Sequence, residues 1–239
     1  MRRFYATPDS FSNGQVTLGF EETRHLRDVL RLRSGDSISV FDGAGLEYLC
    51  RVAEISKKTS VGAIVKSISP PSPESPLRLT LAAAILKGDK FDLVIQKAVE
   101  LGISRLVPLQ TIRCEARITD SSNRLERWRR IRLEATKQSG RATLMEILEA
   151  KTVDEIFSLS PSDHMIMFSE RNGGPISAIT SGDTMTAIVG PEGGWDDSEL
   201  DAAASAKIPI VTLGGRILRA ETAAIAVSAI LQNRFGDLN

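Results

Sequence analysis

The sequence predicts an α/β protein in which a parallel sheet covered by helices follows a smaller domain of β-strands. From residue 77 onwards, short apolar runs alternate with segments of helical length, as is typical of a parallel sheet with helices on both faces. Before residue 69, short β-prone runs follow one another with turns between them. A proline-rich stretch separates the two patterns and predicts a boundary between two domains.

The smaller domain is predicted to occupy residues 1–70. Its Asp-Gly-Ala-Gly segment at 42–45 predicts the turn of a hairpin, and residues 21–30 predict one short helix. Four of the ten prolines lie in the stretch 69–76, so we expect a semi-rigid linker over 71–76. The pattern fits a small β-barrel with one helix. The expected strands cover residues 15–18, 37–41, 47–52 and 61–65.

The larger domain is predicted to occupy residues 77–239. The helix expected over 90–101 has its apolar residues on one face, and Gly102 ends it. The helix expected over 125–139 is basic and stops at Gly140. The other expected elements are strands over 77–86, 105–109, 164–168, 186–189 and 208–213, and helices over 198–206 and 221–232.

The composition is that of a globular protein. Hydrophobic residues make up 42% of the 239 residues and charged residues 25%, and no apolar run reaches the ~18 residues that a membrane span needs. The N-terminus has no apolar stretch after its arginines, so we expect no signal peptide and a cytoplasmic location. Cys50 and Cys114 lack a metal-ligand spacing and are expected to be reduced thiols. With only two histidines in the chain, no metal site is expected.

The formal net charge is zero, but positive charge is concentrated in two segments. Residues 124–141 contain seven lysines and arginines against two glutamates, and residues 24–33 contain four arginines. A neutral protein with such segments can still present a basic face to phosphate groups. Glu134, Gln138 and Arg141 share one face of the basic helix. Taken alone, a solvated charged helix is the simpler interpretation of that face.

Two glycine-bearing loops carry the main functional signal. Gly-Pro-Glu-Gly-Gly at 190–194 follows the strand expected at 186–189, and the glycine pair 214–215 follows the strand expected at 208–213. In open α/β sheets, ligands bind at the carboxyl ends of the strands. Glycines let a ligand approach backbone amides closely. A strand that ends in a glycine-rich turn is also common scaffold, so the first loop alone does not decide the function.

The second loop adds charged side chains beside that bare backbone. Arg216, Arg219 and Glu221 bracket its mouth, a combination that suits a polar ligand and a reaction that develops charge. Taken separately, Glu221 is explained by compensation of a helix dipole and Arg219 by an ordinary ion pair. The patterns G-x-x-x-x-G-K-[ST] and G-x-G-x-x-G are missing, which excludes the usual nucleotide cradles. Trp195, directly after the first loop, is expected to wall the pocket.

These motifs resemble the RsmE family of 16S ribosomal RNA (uracil-N3) methyltransferases, which belongs to the SPOUT superfamily. The strongest similarity lies in the loop at 190–194 and in Leu-Gly-x-Arg-Ile-Leu-Arg-x-Glu-Thr-Ala at 213–223. The resemblance covers almost the whole chain, in order. Its further segments are Arg-Phe at 3–4, His-Leu-x-x-Val-Leu-Arg at 25–31, Lys-Gly-Asp-Lys at 87–90, Gln-Lys-Ala-Val-Glu-Leu-Gly at 96–102, Arg-Trp at 127–128 and the face at 134–141.

The resemblance implies both a fold and a reaction. It implies a PUA-like β-barrel that binds RNA, followed by a SPOUT-type methyltransferase domain with a deep C-terminal trefoil knot. It implies a homodimer that uses S-adenosylmethionine and no metal to methylate N3 of uridine 1498 in 16S RNA of the small ribosomal subunit, a step of ribosome biogenesis. Two alternatives stay open: the same fold acting on a ribose 2′-oxygen or on transfer RNA, and a non-catalytic RNA-binding factor.

The resemblance implies the cofactor contacts by position, whereas the catalytic roles follow from the chemistry of the reaction and the RNA contacts from the basic segments. We expect Arg219 to stabilise negative charge on uracil O2 and O4, and Glu221 or Glu170 to act as base or to orient Arg219. The segment 113–117 around Cys114 departs from the family pattern. The cofactor is expected to contact Phe168, Gly190, Pro191, Glu192, Gly193, Gly194, Leu213, Gly214, Arg216, Ile217, Leu218 and Thr222. The RNA is expected to contact Arg3, Arg24, Arg27, Arg31, Arg129, Arg132, Gln138 and Arg141.

Overall fold

The computed structural model describes residues 2–116, 121–158, 164–180 and 182–238. The chain divides into two compact units. Unit 1 comprises Met1–Glu74 and Thr136–Leu144, and unit 2 comprises Ser75–Ala135 and Met145–Asn239. Unit 1 is therefore built from two stretches of chain, the second of which begins inside a helix.

Unit 1 contains a six-stranded sheet in the order β1-β4-β5-β6-β3-β2. All neighbouring pairs are antiparallel except β1 and β4. Two register shifts interrupt the pairing of β5 with β6, and such bulges bend a sheet. The fully buried core of unit 1 includes Phe4, Leu18 and Ile38. The strands are β1 Arg3–Tyr5, β2 Phe11–Ser12, β3 Gln15–Leu18, β4 Ser37–Phe41, β5 Glu47–Ile55 and β6 Ser60–Ile68.

The helix of unit 1 differs in form from the regular helix that the sequence predicts over 21–30. An α-helical segment, α1, covers Phe20–Arg24 and continues as a π-helical turn over His25–Val29. The Leu30 amide donates to the His25 carbonyl at 2.9 Å, which closes the wider turn. Leu26 in that turn is fully buried, so the turn is fixed to the core of unit 1.

Unit 2 contains a parallel sheet, as the alternation of strands and helices predicts. The order is β10-β8-β7-β12-β11-β13, with β9 paired to β8, and each of these pairs is parallel. The strands are β7 Arg78–Ala84, β8 Arg105–Gln110, β9 Glu146–Ile147, β10 Lys151–Thr152, β11 His164–Phe168, β12 Thr184–Val189 and β13 Ile210–Val211. The edge strand β13 is shorter than the predicted 208–213, because it pairs through two residues and then turns away as Thr212 N–H donates to Gly174.

Helices cover the sheet of unit 2 on both faces. One buried cluster joins alternate residues of β7, including Leu79 and Leu81, to α2 and α6, and a second joins Ala82 to α4 and α5. This alternation is the two-residue period of a strand buried on both sides. The helices are α2 Lys90–Glu100, α3 Ser121–Ser139, α4 Val153–Phe157, α5 Asp197–Ser205 and α6 Ala220–Phe235. In the described part of the chain, no helix is both long enough and apolar enough to cross a membrane.

Candidate active site at the carboxyl edge of the parallel sheet

Three adjacent strands of unit 2 end together and form a cavity. Strand β11 lies between β12 and β13, and all three run parallel, so the segments 168–170, 189–191 and 211–218 come out at one edge. The start of α6 closes the cavity. We call it the first cavity, and its walls are Phe168, Ser169, Glu170, Val189, Gly190, Pro191, Gly194, Trp195, Val211, Thr212, Leu213, Gly214, Gly215, Arg216, Ile217, Leu218, Ala220, Ala223 and Val227.

Trp195 fixes the first glycine loop against the sheet. Its side chain is 1% exposed, and its indole Nε1 donates to the Phe168 carbonyl at 2.8 Å, which ties the loop after β12 to the end of β11. A Cβ at Gly190 would lie 2.8 Å from Trp195 Cε2. Only a residue without a side chain lets the backbone lie directly on the indole. Trp195 therefore walls the cavity, as the sequence predicts.

The second loop presents backbone and an exposed side chain. Gly214 has a φ of +64°, a left-handed conformation that favours glycine, and nothing lies near the Cβ that it lacks. Ile217 at the tip is 84% exposed. Apolar side chains from the three strands and α6 face glycine-rich backbone across the first cavity. A flat heterocycle with apolar faces and polar edges matches such walls.

A second cavity adjoins the first and carries the charged groups. It has a volume of about 500 Å³, within the range of small-molecule sites. Six residues line both cavities: Glu170, Pro191, Gly194, Ile217, Leu218 and Ala220. Lys90, Glu192, Gly193 and Arg219 line only the second cavity. Two cations and two carboxylates thus surround the space next to the shared wall.

The charged groups of the second cavity differ in their partners. Lys90, the first residue of α2, donates through Nζ to Glu192 Oε1 at 3.0 Å. Glu170 lies 3.5 Å from Arg171 Nε through Oε1. Arg219 is the exposed residue before α6, and within the described residues it makes no ion pair or side-chain hydrogen bond. Arg219 is therefore available to a ligand.

The structure brings most of the predicted cofactor residues together. Glu192 and Gly193 line the second cavity and not the first, and Thr222 lines neither. Glu221, in the first turn of α6, also lines neither cavity, and its Oε2 atom is buried without a hydrogen-bond partner in the described residues. The predicted cofactor residues that line the first cavity are Phe168, Gly190, Pro191, Gly194, Leu213, Gly214, Arg216, Ile217 and Leu218.

Lys90 is the charged residue of the two cavities to which the sequence prediction assigned no role. Its motif at 87–90 belongs to the family resemblance, yet no role followed from the sequence. The signal is the sheet order: β7, which leads to α2, pairs directly with β12, which leads to the glycine loop. That adjacency places the start of α2 beside the cavity, and it is not readable from the chain order.

Two residues predicted to bind RNA are held inside unit 1. Arg3 donates from Nε and Nη2 to the Glu47 carboxylate at 3.1 and 2.8 Å, and from Nη1 to the Lys137 carbonyl at 2.9 Å. Arg141 is 2% exposed and pairs with the Glu74 carboxylate, its Nε lying 3.1 Å from Oε1. Both guanidinium groups are occupied by intramolecular partners.

The other residues predicted to bind RNA lie nearer the surface. Arg24, Arg31 and Gln138 are exposed, and Arg27 pairs with its neighbour Asp28. In α3, Arg129 pairs with Glu126 at 2.7 Å, and Arg132 donates to the Met145 carbonyl at 3.1 Å. Exposed arginines keep the capacity to contact phosphate, because a weak surface pair is easily exchanged.

The segment at 113–117 departs from the family pattern, and its described part, residues 113–116, packs against the glycine loop at 190–194. Arg113 pairs with Asp196 at 3.2 Å, and its backbone and Cβ lie against Gly193. Cys114 is buried, its Sγ lies 2.8 Å from the Ile85 carbonyl, and burial raises the pKa of the thiol. Residue 117 lies outside the described residues. Within those residues, no cluster of histidine, cysteine or acidic side chains is placed to hold a metal ion.

Comparison with known proteins matches both units to domains of RNA methyltransferases. An RNA methyltransferase domain model matches residues 73–232, and an RNA methyltransferase PUA domain model matches residues 19–65. The ribosomal RNA small subunit methyltransferase E of Rickettsia conorii is 34% identical over 95% of this chain and 93% of its own length. The Bacillus subtilis protein of that name is 30% identical over 88% of this chain and 87% of its own length.

A solved structure extends the similarity to the whole fold. The crystal structure of a ribosomal RNA small subunit methyltransferase E from Neisseria gonorrhoeae, bound to S-adenosyl methionine, superposes with a TM-score of 0.91 at 36% identity. The superposition covers 100% of both chains. The two-unit architecture is therefore that of a known cofactor-bound methyltransferase.

Proposed function

The chain belongs to the family of ribosomal RNA small subunit methyltransferases E, and from that premise we propose that it methylates N3 of a uridine, uridine 1498, in 16S RNA. It is an S-adenosylmethionine-dependent RNA methyltransferase. The observation that carries the uridine assignment is the second cavity, where cations and carboxylates meet at a wall shared with the first cavity.

We assign S-adenosylmethionine to the first cavity and the space that adjoins it. The apolar walls of the first cavity suit the faces of an adenine ring, and the glycine loops leave backbone groups free to read the polar edge of that ring. Phe168, Val189 and Leu218 supply apolar surface, and Gly190 and Gly214 supply bare backbone. When bound, the cofactor supplies an electrophilic methyl group. We assign Glu192, Gly193 and Thr222 to its periphery, because they lie outside the first cavity.

Glu170 is our choice for the base. Uracil N3 must lose its proton to become a nucleophile, so the acceptor must lie where substrate and cofactor meet. Glu170 lines both cavities, whereas Glu221 lines neither. We therefore assign proton removal to Glu170, and we assign Glu221, two residues after Arg219 in the first turn of α6, to positioning.

Arg219 is our choice for stabilising the charge that follows. As N3 loses its proton, negative charge spreads to O2 and O4. The guanidinium of Arg219 is available at the second cavity, and the N-terminus of α6 adds a positive partial charge beside it. Donors held in place before the reaction stabilise such charge without reorganising.

Arginines at the surface of each unit would hold the RNA. Our phosphate contacts are Arg24, Arg27 and Arg31, with Gln138, in unit 1, and Arg129 and Arg132 in unit 2. Such contacts fix register and leave the choice of base to the pocket. We reassign Arg3 and Arg141 to holding unit 1 together, because their guanidinium groups are already paired.

Four further assignments complete the proposed function. We propose a homodimer, a trefoil knot in unit 2 and a cytoplasmic site of action, together with functional domains at 1–70 and 77–239. Gel filtration with light scattering tests the dimer directly. A monomeric mass at micromolar concentration would contradict it.

Kinetics of Arg219 variants test the reaction. Arg219→Ala is expected to lower kcat about 10²- to 10³-fold, the effect of removing one donor to a developing anion, while affinity for S-adenosylmethionine stays near that of the parent. Arg105→Ala, at an arginine that lines neither cavity, is the matched control. Undiminished methyl transfer by a folded Arg219→Ala protein would remove Arg219 from the mechanism.

A further inference from the structure

Lys90 is held at the rim of the second cavity by a partner that a substrate can replace. It begins α2, whose apolar face, including Phe91, Val94 and Ile95, is buried in the core of unit 2. Its side chain is 41% exposed, and the Glu192 side chain that it contacts is 29% exposed. A pair this exposed contributes little free energy, so exchange for another acceptor costs little.

The second cavity carries donors and acceptors in the combination that uracil requires. The uracil edge presents O4 as acceptor, N3–H as donor and O2 as acceptor. Lys90 and Arg219 are donors only, while Glu170 and Glu192 are acceptors when ionised. Two cations therefore match the two carbonyl oxygens, and a carboxylate matches N3–H.

The same groups disfavour cytosine. At the cytosine edge, N3 is an acceptor and the N4 amino group is a donor. A carboxylate would then face a lone pair, and one of the two cations would face an amino group. A site whose donors and acceptors match one base edge disfavours a base that sets donor against donor and acceptor against acceptor.

We propose that Lys90 is a specificity-determining residue that leaves Glu192 and donates to one carbonyl oxygen of the target uracil, with Arg219 at the other. The inference rests on the proposed function and adds the residue that selects the base. As N3 loses its proton to the base, the added electron density on that carbonyl strengthens the contact with the ammonium group. Lys90 thus promotes both recognition and proton loss.

The neighbouring charges do not duplicate this role. Lys87 lies three residues upstream, pairs with Glu115 and lines neither the first nor the second cavity. It has the same charge and a larger exposed fraction, 64%. Lys87→Met is therefore the matched control for Lys90→Met, since both variants remove one lysine charge from the same loop and helix start.

The test compares the two variants and Lys90→Arg on unmodified small subunits. Lys90→Met is expected to lower kcat about 10- to 100-fold, with S-adenosylmethionine affinity by calorimetry unchanged, and Lys90→Arg is expected to recover most of the rate. Lys87→Met is expected to keep the parent kcat. The rise of kcat with pH is expected to move to higher pH in Lys90→Met, because the uracil anion loses one stabilising cation.

The second measurement compares methyl transfer to uridine with methyl transfer to cytidine at the target position. On subunits carrying cytidine at the target position, the preference of the parent protein for uridine is expected to fall at least tenfold in Lys90→Met. Equal kcat values for Lys90→Met and Lys87→Met, an unmoved pH profile, or loss of cofactor binding in Lys90→Met would each overturn the inference. If the parent protein itself transfers no methyl group to uridine, the proposed function fails instead.

Discussion

At the scale of single residues, Gly190 lies against the indole of Trp195 at the wall of the first cavity. Gly190→Ala would place a methyl group 2.8 Å from Trp195 Cε2, and the buried indole has no room to move. We expect a loss of about 1–3 kcal/mol in the free energy of unfolding, as for an overpacked core, and weaker S-adenosylmethionine binding. Urea denaturation and calorimetry measure the two effects.

Gly215→Ala is the control for that prediction. No atom lies within 4 Å of the Cβ that Gly215 would gain, and its φ is outside the left-handed region. Its stability is expected to stay within about 0.5 kcal/mol of the parent protein. A Gly190→Ala protein as stable as Gly215→Ala would show that the loop can shift away from the indole.

Because Cys50 is buried, we expect the free energy of unfolding to depend on pH in the alkaline range. Burial raises the pKa of the Cys50 thiol to about 11, whereas the unfolded thiol ionises near its ordinary value of about 8.5. The unfolded state then loses a proton that the folded state keeps, so stability falls as pH rises from about 9 to 11, by roughly 2 kcal/mol. Cys50→Val is expected to flatten that decline in chemical denaturation. An identical decline in both proteins would assign it to other groups.

At the scale of elements, the cap of α5 connects helix stability to the first glycine loop. Asp196 accepts from the Ser198 amide and hydroxyl, Glu199 completes a capping box, and Arg113 pairs with the Asp196 carboxylate. The Ser198 hydrogen bonds and, to a smaller extent, Arg113 lower the pKa of Asp196. Its contribution is thus present above about pH 4 and is lost as pH falls through the lowered pKa.

Two variants separate the cap from its charge. Asp196→Ala is expected to lower Tm at pH 7, since the helix loses its N-cap acceptor. Asp196→Asn keeps an acceptor and is expected to lower Tm less and to lose the acid dependence. Equal Tm values for Asp196→Ala and the parent protein would mean that α5 needs no cap.

The bounds of a strand or helix were predicted correctly where an apolar run ends at a polar residue or a glycine. Strand β11 and helix α2 match their predicted bounds within a residue, because buried runs end at polar or glycine positions. The prediction was wrong for the length of β13, whose pairing at the sheet edge ends at Val211. Nothing in an apolar run tells a central strand from an edge strand, since the difference lies in long-range pairing.

At the scale of the whole molecule, long-range ion pairs decide which basic residues are available to RNA. Counting arginines identified the basic segments, but the count cannot show that Arg3 pairs with Glu47 or Arg141 with Glu74. Each partner lies more than forty residues away in sequence. Chain order likewise does not show that Lys90 lies at the cavity, because its position follows from the pairing of β7 with β12.

RNA affinity is expected to depend on salt through the exposed arginines. Replacing both Arg24 and Arg31 by alanine is expected to weaken RNA binding and to reduce the slope of log K against log salt concentration by about 1 to 2. Arg51→Ala, at an exposed arginine outside the proposed phosphate contacts, is the control. Filter binding between low and physiological salt measures the slope. A slope unchanged in the double variant would place the RNA elsewhere.

Methylation of uridine N3 in small-subunit RNA is the reaction on which the roles of Arg219, Glu170 and Lys90 all depend. The most direct measurement supplies labelled S-adenosylmethionine with unmodified small subunits and with naked 16S RNA, digests the RNA to nucleosides and locates the label. We expect the label in 3-methyluridine, and we expect the rate at which it appears to fall about 10²- to 10³-fold in Arg219→Ala. Label in a 2′-O-methylated nucleoside, or in transfer RNA supplied in parallel, would contradict this assignment.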